Sequence, residues 1–348
     1  MSSSTSSSRR PIPEGPWGAT AALTLVLFVA AVAVIERAWR RYGMVPTSGD
    51  SMDLWDYERS QVHPIGRTPL FLVGGSRLLC DADLQVMRDQ LPRYRINQLS
   101  VMGKTPVATL RDLAADERVH DAVVFVDVAE HALERSYWDD QEPWVRHYHE
   151  SKNLSAGFEA HARALFESYL VVANPVTGVQ NLLEGKWPKR DYVTYGPDRS
   201  CSSDYSLVDA AKARAARTAR VRQVYGQTKP PDPAAWLEQA LAVEPFLHQL
   251  TARNVRVAFF RPPTTGDHWI LDSQRYPRDQ YWDRFRDSVS VPTIHFKDYP
   301  GLDQFDAPDG SHMDAHDLSL FTECLVDALV DKGLVTGAGP SHCKLRKP

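Results

Sequence analysis

The run Trp17 to Ile35 (WGATAALTLVLFVAAVAVI), about 19 residues without a charge, constrains the chain more than any other stretch of its sequence. A helix of roughly 20 apolar residues crosses the hydrocarbon core of a bilayer, where backbone N–H and C=O groups have only one another as partners. The run therefore has to be helical. Arg9 and Arg10 precede it, Arg37, Arg40 and Arg41 follow it, and Trp17 and Trp39 stand where interfacial aromatics belong. Ala31-Val32-Ala33 would suit a signal-peptide cleavage site, but the run is long and unbroken through Ala33, which favours a retained anchor over residues 17–39. Charge counting leaves the orientation open, with two arginines before the span, three after it and Glu36 offsetting one of these. Residues 1–16, rich in Ser and Pro, are expected to be a disordered tail.

Beyond the anchor, roughly 300 residues remain, enough for one large α/β domain or two small ones. The 348-residue chain has a formal charge of -4 and no long basic stripe, so nucleic acid is not an expected partner. The arginines of Lys212 to Arg222 sit in an alanine-rich helical context and read as a solvated face. Cys80, Cys201, Cys324 and Cys343 lack CxxC or Cys/His spacing, which argues against a zinc site. A disulfide such as Cys80 to Cys201 requires a domain outside the cytoplasm, and spacing alone assigns no pairs.

Residues 40–68 are polar, with Pro and Gly, and read as a linker. Strand and helix patterns then alternate, as in a sheet covered by helices. Pro69 to Gly75, Tyr94 to Val101, Asp121 to Val128, Val255 to Phe260 and Thr293 to Phe296 predict strands. Those near-continuous in β-branched residues suit burial on both faces. Helices are expected over Asp81 to Leu91, from a Thr105 cap with Pro106 first, over Asp232 to Asn254 as one long element, around Trp282, and from Ala315 to Lys332. Residues 132–229 contain helical stretches without a strand of comparable quality and read as a helical insertion. The domain is expected to span 69–335, with a flexible tail over 336–348.

Three clusters carry chemistry, each at the end of a strand or the entrance to a helix, where active sites of open α/β sheets collect. Gly74-Gly75-Ser76-Arg77 places a serine on a sharp turn after the first strand, with backbone N–H groups free to hold an oxyanion. Asp309-Gly310-Ser311-His312 offers, from one short loop, an imidazole to take a hydroxyl proton and a carboxylate to fix its tautomer. Gly103, after the second strand, lets backbone approach a substrate and lend a second N–H. Arg77, Asn97, Lys104, Glu130 and His316 are pocket candidates, with His316, about a turn into the last helix, expected behind the site or exposed.

Ser76, Gly103, Asp309 and His312 together resemble the SGNH, or GDSL-like, hydrolase superfamily. There the nucleophile follows the first strand, a glycine after the second lends an oxyanion N–H, and a late Asp-x-x-His completes the triad. The resemblance covers about Pro69 to Ala129 and Asn254 to Gly333. Gly-Gly-Ser stands here for Gly-Asp-Ser. Phe125 to His131 lacks the asparagine of the family's Gly-x-Asn-Asp block; losing one oxyanion donor costs about 3 kcal/mol of transition-state stabilisation. The resemblance is to a membrane-anchored branch that tailors envelope polysaccharides. It implies a three-layer α/β/α sandwich with a mainly parallel sheet, outside the cytoplasm on an inner or plasma membrane anchor. It further implies acyl-ester cleavage or transfer through an acyl-serine, on a glycan that carries or accepts the acyl group, without cofactor or metal, alongside other membrane proteins of a polysaccharide pathway. An inactive binding or assembly subunit of such a pathway is the alternative that the missing asparagine keeps open.

An α/β-hydrolase elbow, Gly-x-Ser-x-Gly, fits Gly74 but fails at Leu78. His147, His149, Glu150 and His161 have no diagnostic metal spacing and read as an ordinary polar stretch. Trp138, Trp144, Tyr148, Trp187 and Tyr192 suit either a sugar groove or a core. Asp267 and His268 are expected at a pocket rim.

Overall fold

A computed structural model describes residues 15–151, 154–337, 339 and 343–345, in two compact units. The expected tail 1–16 lies almost wholly outside the described residues. The smaller unit joins residues 1–46 to 170–190. Its first helix, α1 (Trp17–Arg41), is long and apolar enough to span a membrane, and Leu25, Phe28 and Val34 along it are exposed. At its end, Glu36 accepts the backbone N–H groups of Val171 (3.1 Å) and Val172 (3.0 Å) and pairs with Arg40, while Trp39 meets Trp187 edge-on. Part of the expected insertion thus groups with the anchor.

The larger unit opens on α2 (Met52–Ser60), capped by Ser51. This corrects the expected linker. Trp55 is fully buried, and Arg59, fully buried too, pairs with Asp112 (2.6 Å) and Asp116 (3.0 Å). Then come β1 (Thr68–Val73), α3 (Ser76–Cys80), α4 (Leu84–Gln90), β2 (Tyr94–Gln98), α5 (Val107–Ala115) and β3 (Val123–Asp127). α6 (Glu142–Ser151) and α7 (Leu154–Tyr169) follow, then α8 (Val179–Leu183) in the smaller unit, then β4 (Val193–Tyr195), β5 (Cys201–Ser203) and α9 (Ala210–Gln227). The remainder is α10 (Pro233–Leu241), α11 (Glu244–Thr251), β6 (Arg256–Arg261), α12 (Gly266–Arg275), α13 (Trp282–Ser288), β7 (Thr293–His295), α14 (Pro300–Asp303) and α15 (Leu318–Asp331).

Five strands form a parallel sheet in the order β2-β1-β3-β6-β7. Successive residues feed two apolar clusters. Phe71, Val73, Val124, Val126 and Phe259 join one with α5, α10, α11 and α13, whereas Leu70, Leu72, Phe125 and Phe260 join the other with α4 and α15. Both faces are therefore dry, which is why these strands lack a polar alternation. The chain steps outward from β1 to β2 and then returns to the other side of β1 with β3. That reversal opens a crevice beyond the carboxyl ends of β1 and β3.

Several expectations shift. The long helix from Asp232 divides into α10 and α11, the second starting at Glu244-Pro245. Thr105 does not cap α5; its hydroxyl bonds the Tyr137 carbonyl. Residues 193–203 make a two-stranded antiparallel hairpin inside the expected helical insertion. Cys343, in the expected flexible tail, is disulfide-bonded to Cys324, and its N–H donates to Asp327.

Candidate active site

β1 and β3 are paired so that Val73 faces Val126, which brings Gly74 beside Asp127. There is no room for a side chain: a Cβ on Gly74 would come within 2.6 Å of the Asp127 Cβ. Asp127 Oδ2 accepts the N–H groups of Gly75 and Leu78, both at 3.2 Å, and Gln141 Nε2 donates to the Gly74 carbonyl (2.7 Å). These bonds fix the turn that puts Ser76 at the start of α3. The N–H groups of Ser76 and Gly103 have no acceptor among the described residues. Gly103 takes φ +67°, and the loop it belongs to abuts the turn, since a Cβ on Gly75 would lie 2.9 Å from the Lys104 carbonyl oxygen.

The second half of the site is the loop before α15. Asp309 Oδ1 accepts the N–H groups of Ser311 and His312, both at 2.8 Å, a side-chain-to-backbone turn typical of Asp. Gly310 makes the loop possible with φ +83°. The same carboxylate accepts His312 Nδ1–H at Oδ2 (3.0 Å), leaving Nε2 as acceptor for the Ser76 hydroxyl at 2.8 Å. The structure thus joins Ser76, His312 and Asp309 in one hydrogen-bond chain across 236 residues of sequence. Asp309 and His312 are buried; Ser76 is half-exposed.

Sequence reasoning missed much of what holds this chain in place. Arg214 and Arg217 of α9 face the Asp309 loop, which corrects the solvated-face reading. Arg214 donates to the carbonyls of Ala307 (2.7 Å) and Pro308 (3.0 Å), and Arg217 donates to Asp309 Oδ2 (3.1 Å). Burial and the charge of this carboxylate push the phenol of Tyr205 up. Burial opposes ionisation of Asp309, but the hydrogen bonds from His312 and the charge of Arg217 outweigh it, holding this carboxyl well below the usual range.

Asp81, just after α3, accepts the N–H of Met313 (3.0 Å), so the nucleophile's helix grips the histidine's loop directly. Burial, against the pull of that bond, together with the nearby Asp309 charge pushes the Asp81 carboxyl up. The Cys80–Cys201 disulfide ties α3 to the hairpin, whose Ser203 carbonyl accepts the N–H of Ala315 (2.8 Å). The hairpin therefore clamps both halves of the site. None of these links has a spacing signature in the sequence.

The remaining candidates separate. Arg77 is half-buried beside Ser76, and Lys104 is exposed next to Gly103. Asn97 is buried and donates to the Gln61 carbonyl, away from the cleft. Glu130 is buried in an ion pair with Arg261 (3.0 Å), and His316 is exposed, bonded to Asp314. His147 pairs with Asp56, His149 with Asp112, and His161 stacks on Tyr57. Trp144 and Tyr148 pack edge-on against buried Trp55, and Trp138 is buried, so these three serve the core. Tyr192 packs beside Tyr205.

A cleft of about 200 Å³ lies along α9, bounded by Arg217, Arg220, Val221 and Tyr225 and, across from them, by His131 and His268. Arg217 spans from this cleft to Asp309. His268 stands there as expected for a rim residue. Burial lowers both imidazoles to about 4, with the charge of Arg77 adding to it and that of Asp272 opposing it. Both are neutral near pH 7.

Fold and site define an α/β protein with a Ser–His–Asp chain at the carboxyl edge of a parallel sheet. A scan against protein-family models finds no match to this chain, and a search of curated proteins finds no similar sequence.

Proposed function

We propose that this chain is an SGNH-type acyl-ester hydrolase or O-acyltransferase, a three-layer sandwich tethered by α1, which acts on an envelope or exported polysaccharide. The observation that carries the reading is the continuous Ser76–His312–Asp309 hydrogen-bond chain, whose carboxylate is reached by Arg217 from the cleft along α9. His312 Nε2 takes the Ser76 proton as Oγ attacks the ester carbonyl. The N–H groups of Ser76 and Gly103 receive the oxyanion. As the intermediate collapses, the ester C–O bond breaks and the leaving alkoxide takes the proton from His312, leaving acyl-Ser76. Water or a glycan hydroxyl then gives its proton to His312 and attacks the acyl carbon; the bond to Ser76 Oγ breaks, and Oγ takes that proton back from His312. Asp309 keeps the imidazole in the required tautomer and stabilises its cation, with Arg217 anchoring the carboxylate.

Two disulfides, Cys80–Cys201 and Cys324–Cys343, support a domain in an oxidising compartment, on the periplasmic or outer side of the membrane. Membrane proteins of a polysaccharide pathway are the partners this reading proposes. The second reading, a binding or assembly subunit without activity, draws on Asp127: where the family places an oxyanion donor, this carboxylate accepts from Gly75 and Leu78 instead. Turnover of p-nitrophenyl acetate by the full chain in detergent separates the two. Loss of turnover in Ser76→Ala supports the enzyme. Equal rates in both proteins, or none in either, support the binding subunit.

A further inference from the structure

We propose that residues 170–190 form a collar against the end of α1 that docks on an anionic bilayer surface, a second membrane contact beside the helix itself. This goes beyond the acyl-serine reading and rests on α1 spanning a membrane. From Trp17 to Ile35 the helix rises about 28 Å at ~1.5 Å per residue, close to the roughly 30 Å of a bilayer's hydrocarbon core. The turn from Glu36 to Arg41 therefore falls at headgroup depth. That turn carries the collar with it, because Glu36 accepts the N–H groups of Val171 and Val172 and Trp39 meets Trp187 with ring centroids 6.5 Å apart. The collar is folded on itself. Thr177 Oγ1 donates to the Val171 carbonyl (2.7 Å), Asn181 Nδ2 to that of Pro175 (3.0 Å), and the N–H of Lys186 to that of Asn181 (2.8 Å).

Two properties of this surface name its partner. Val176, Leu183 and Trp187 are 50%, 83% and 66% exposed. One exposed apolar side chain is ordinary, but three on a short segment bonded to a spanning helix suit insertion at the boundary, where an indole keeps its ring in the apolar layer and its N–H in the wet one. The second property is charge. Residues 36–46 and 170–190 carry six cations, Arg37, Arg40, Arg41, Lys186, Lys189 and Arg190, against two acids, Glu36 and Glu184. Both acids are neutralised, Glu36 by Arg40 and Glu184 by Lys186. Arg37, Arg41 and Lys189 are exposed and have no ion pair among the described residues. Lysine and arginine held at headgroup depth are complemented by anionic lipid phosphates. Apolar and cationic side chains together fit a boundary that is hydrocarbon on one side and phosphate on the other.

All four cysteines are disulfide-bonded, so one introduced cysteine is the only thiol to label. The full chain with Leu183→Cys or Val176→Cys carries a nitroxide spin label there and is placed in lipid nanodiscs, which leave both bilayer faces open to solvent. One set of discs is phosphatidylcholine alone; the other holds equal parts of phosphatidylglycerol. Electron paramagnetic resonance then reads collisions with oxygen, which concentrates in lipid, and with a neutral nickel complex, which stays in water. In the anionic discs both labels are expected to meet oxygen more than nickel. That ratio should fall in neutral discs and with added salt, and lose its dependence on phosphatidylglycerol when Arg37→Gln, Arg41→Gln and Lys189→Gln are combined. Free access of nickel to both labels overturns the collar. So does shielding from both reagents, as a protein cover would give, or an oxygen-to-nickel ratio indifferent to lipid charge. Failure of the anchor looks different: the chain would elute apart from the discs, which overturns anchor and collar together. Ser76-dependent turnover of p-nitrophenyl acetate stands or falls separately.

Discussion

Replacing Cys80 and Cys201 together by alanine cuts the covalent link between the helix carrying Ser76 and the hairpin that braces the His312 loop. The bond joins positions 121 residues apart, and the chain-entropy relation assigns such a closure about 5 kcal/mol. Spread over the roughly 280 residues of the larger unit, with an unfolding entropy of about 0.6 kcal/mol per kelvin, this lowers the melting temperature by about 8 °C. The Cys324–Cys343 bond closes only 19 residues, worth about 3 kcal/mol and about 5 °C by the same route. Differential scanning fluorimetry of the full chain in detergent, with each pair replaced separately, compares the two. Loss of the Cys80–Cys201 bond should cost more stability, and it alone should slow Ser76 chemistry at temperatures where both variants remain folded. Equal shifts, or the opposite order, would refute the loop-length reasoning; full activity without the Cys80–Cys201 bond would refute the clamp.

Asp127→Ala strands the N–H groups of Gly75 and Leu78, at about 1–3 kcal/mol each, so urea denaturation should show a loss of several kcal/mol, largely rescued in Asp127→Asn, which can still accept. Gly310→Ala forces a side chain into φ +83° and against Thr265 and His268, so it should destabilise by about 1–2 kcal/mol in the same assay and reduce turnover. His131 titrates at about 4 when folded and near 6.5 when unfolded, so the unfolded chain binds more protons between those values, and its contribution to stability is lost as pH falls through that window. His131→Leu should accordingly flatten the pH dependence of the urea midpoint between about pH 6.5 and 4 relative to wild type; an unchanged slope would contradict a depressed His131.

The parts of the fold that were legible are those where one physical demand dominates. β1, β3 and β6 are buried on both faces, so Leu70 to Val73, Val123 to Val126 and Val257 to Phe260 are unbroken apolar runs. The Asp309 loop was legible because Asp, Gly and His each answer a local need of backbone or chemistry. What stayed hidden depends on partners far along the chain. Arg59 and Glu58 made α2 look like linker, yet both are buried against charges on other elements. Arg214 and Arg217 look like any solvated helical arginines until the loop they grip is placed beside them. β4 and β5 have three residues each, too few for a period to emerge, and only the Cys80 disulfide reveals why the hairpin matters.

On the acyl-serine reading, His312 activates the Ser76 hydroxyl. Incubating the full-length protein with a fluorophosphonate and mapping the adduct by peptide mass spectrometry addresses it directly. One phosphonylated residue is expected, Ser76, formed in wild type, absent in Ser76→Ala and strongly slowed in His312→Ala. No adduct on Ser76, or labelling at the same rate without the imidazole, would contradict it.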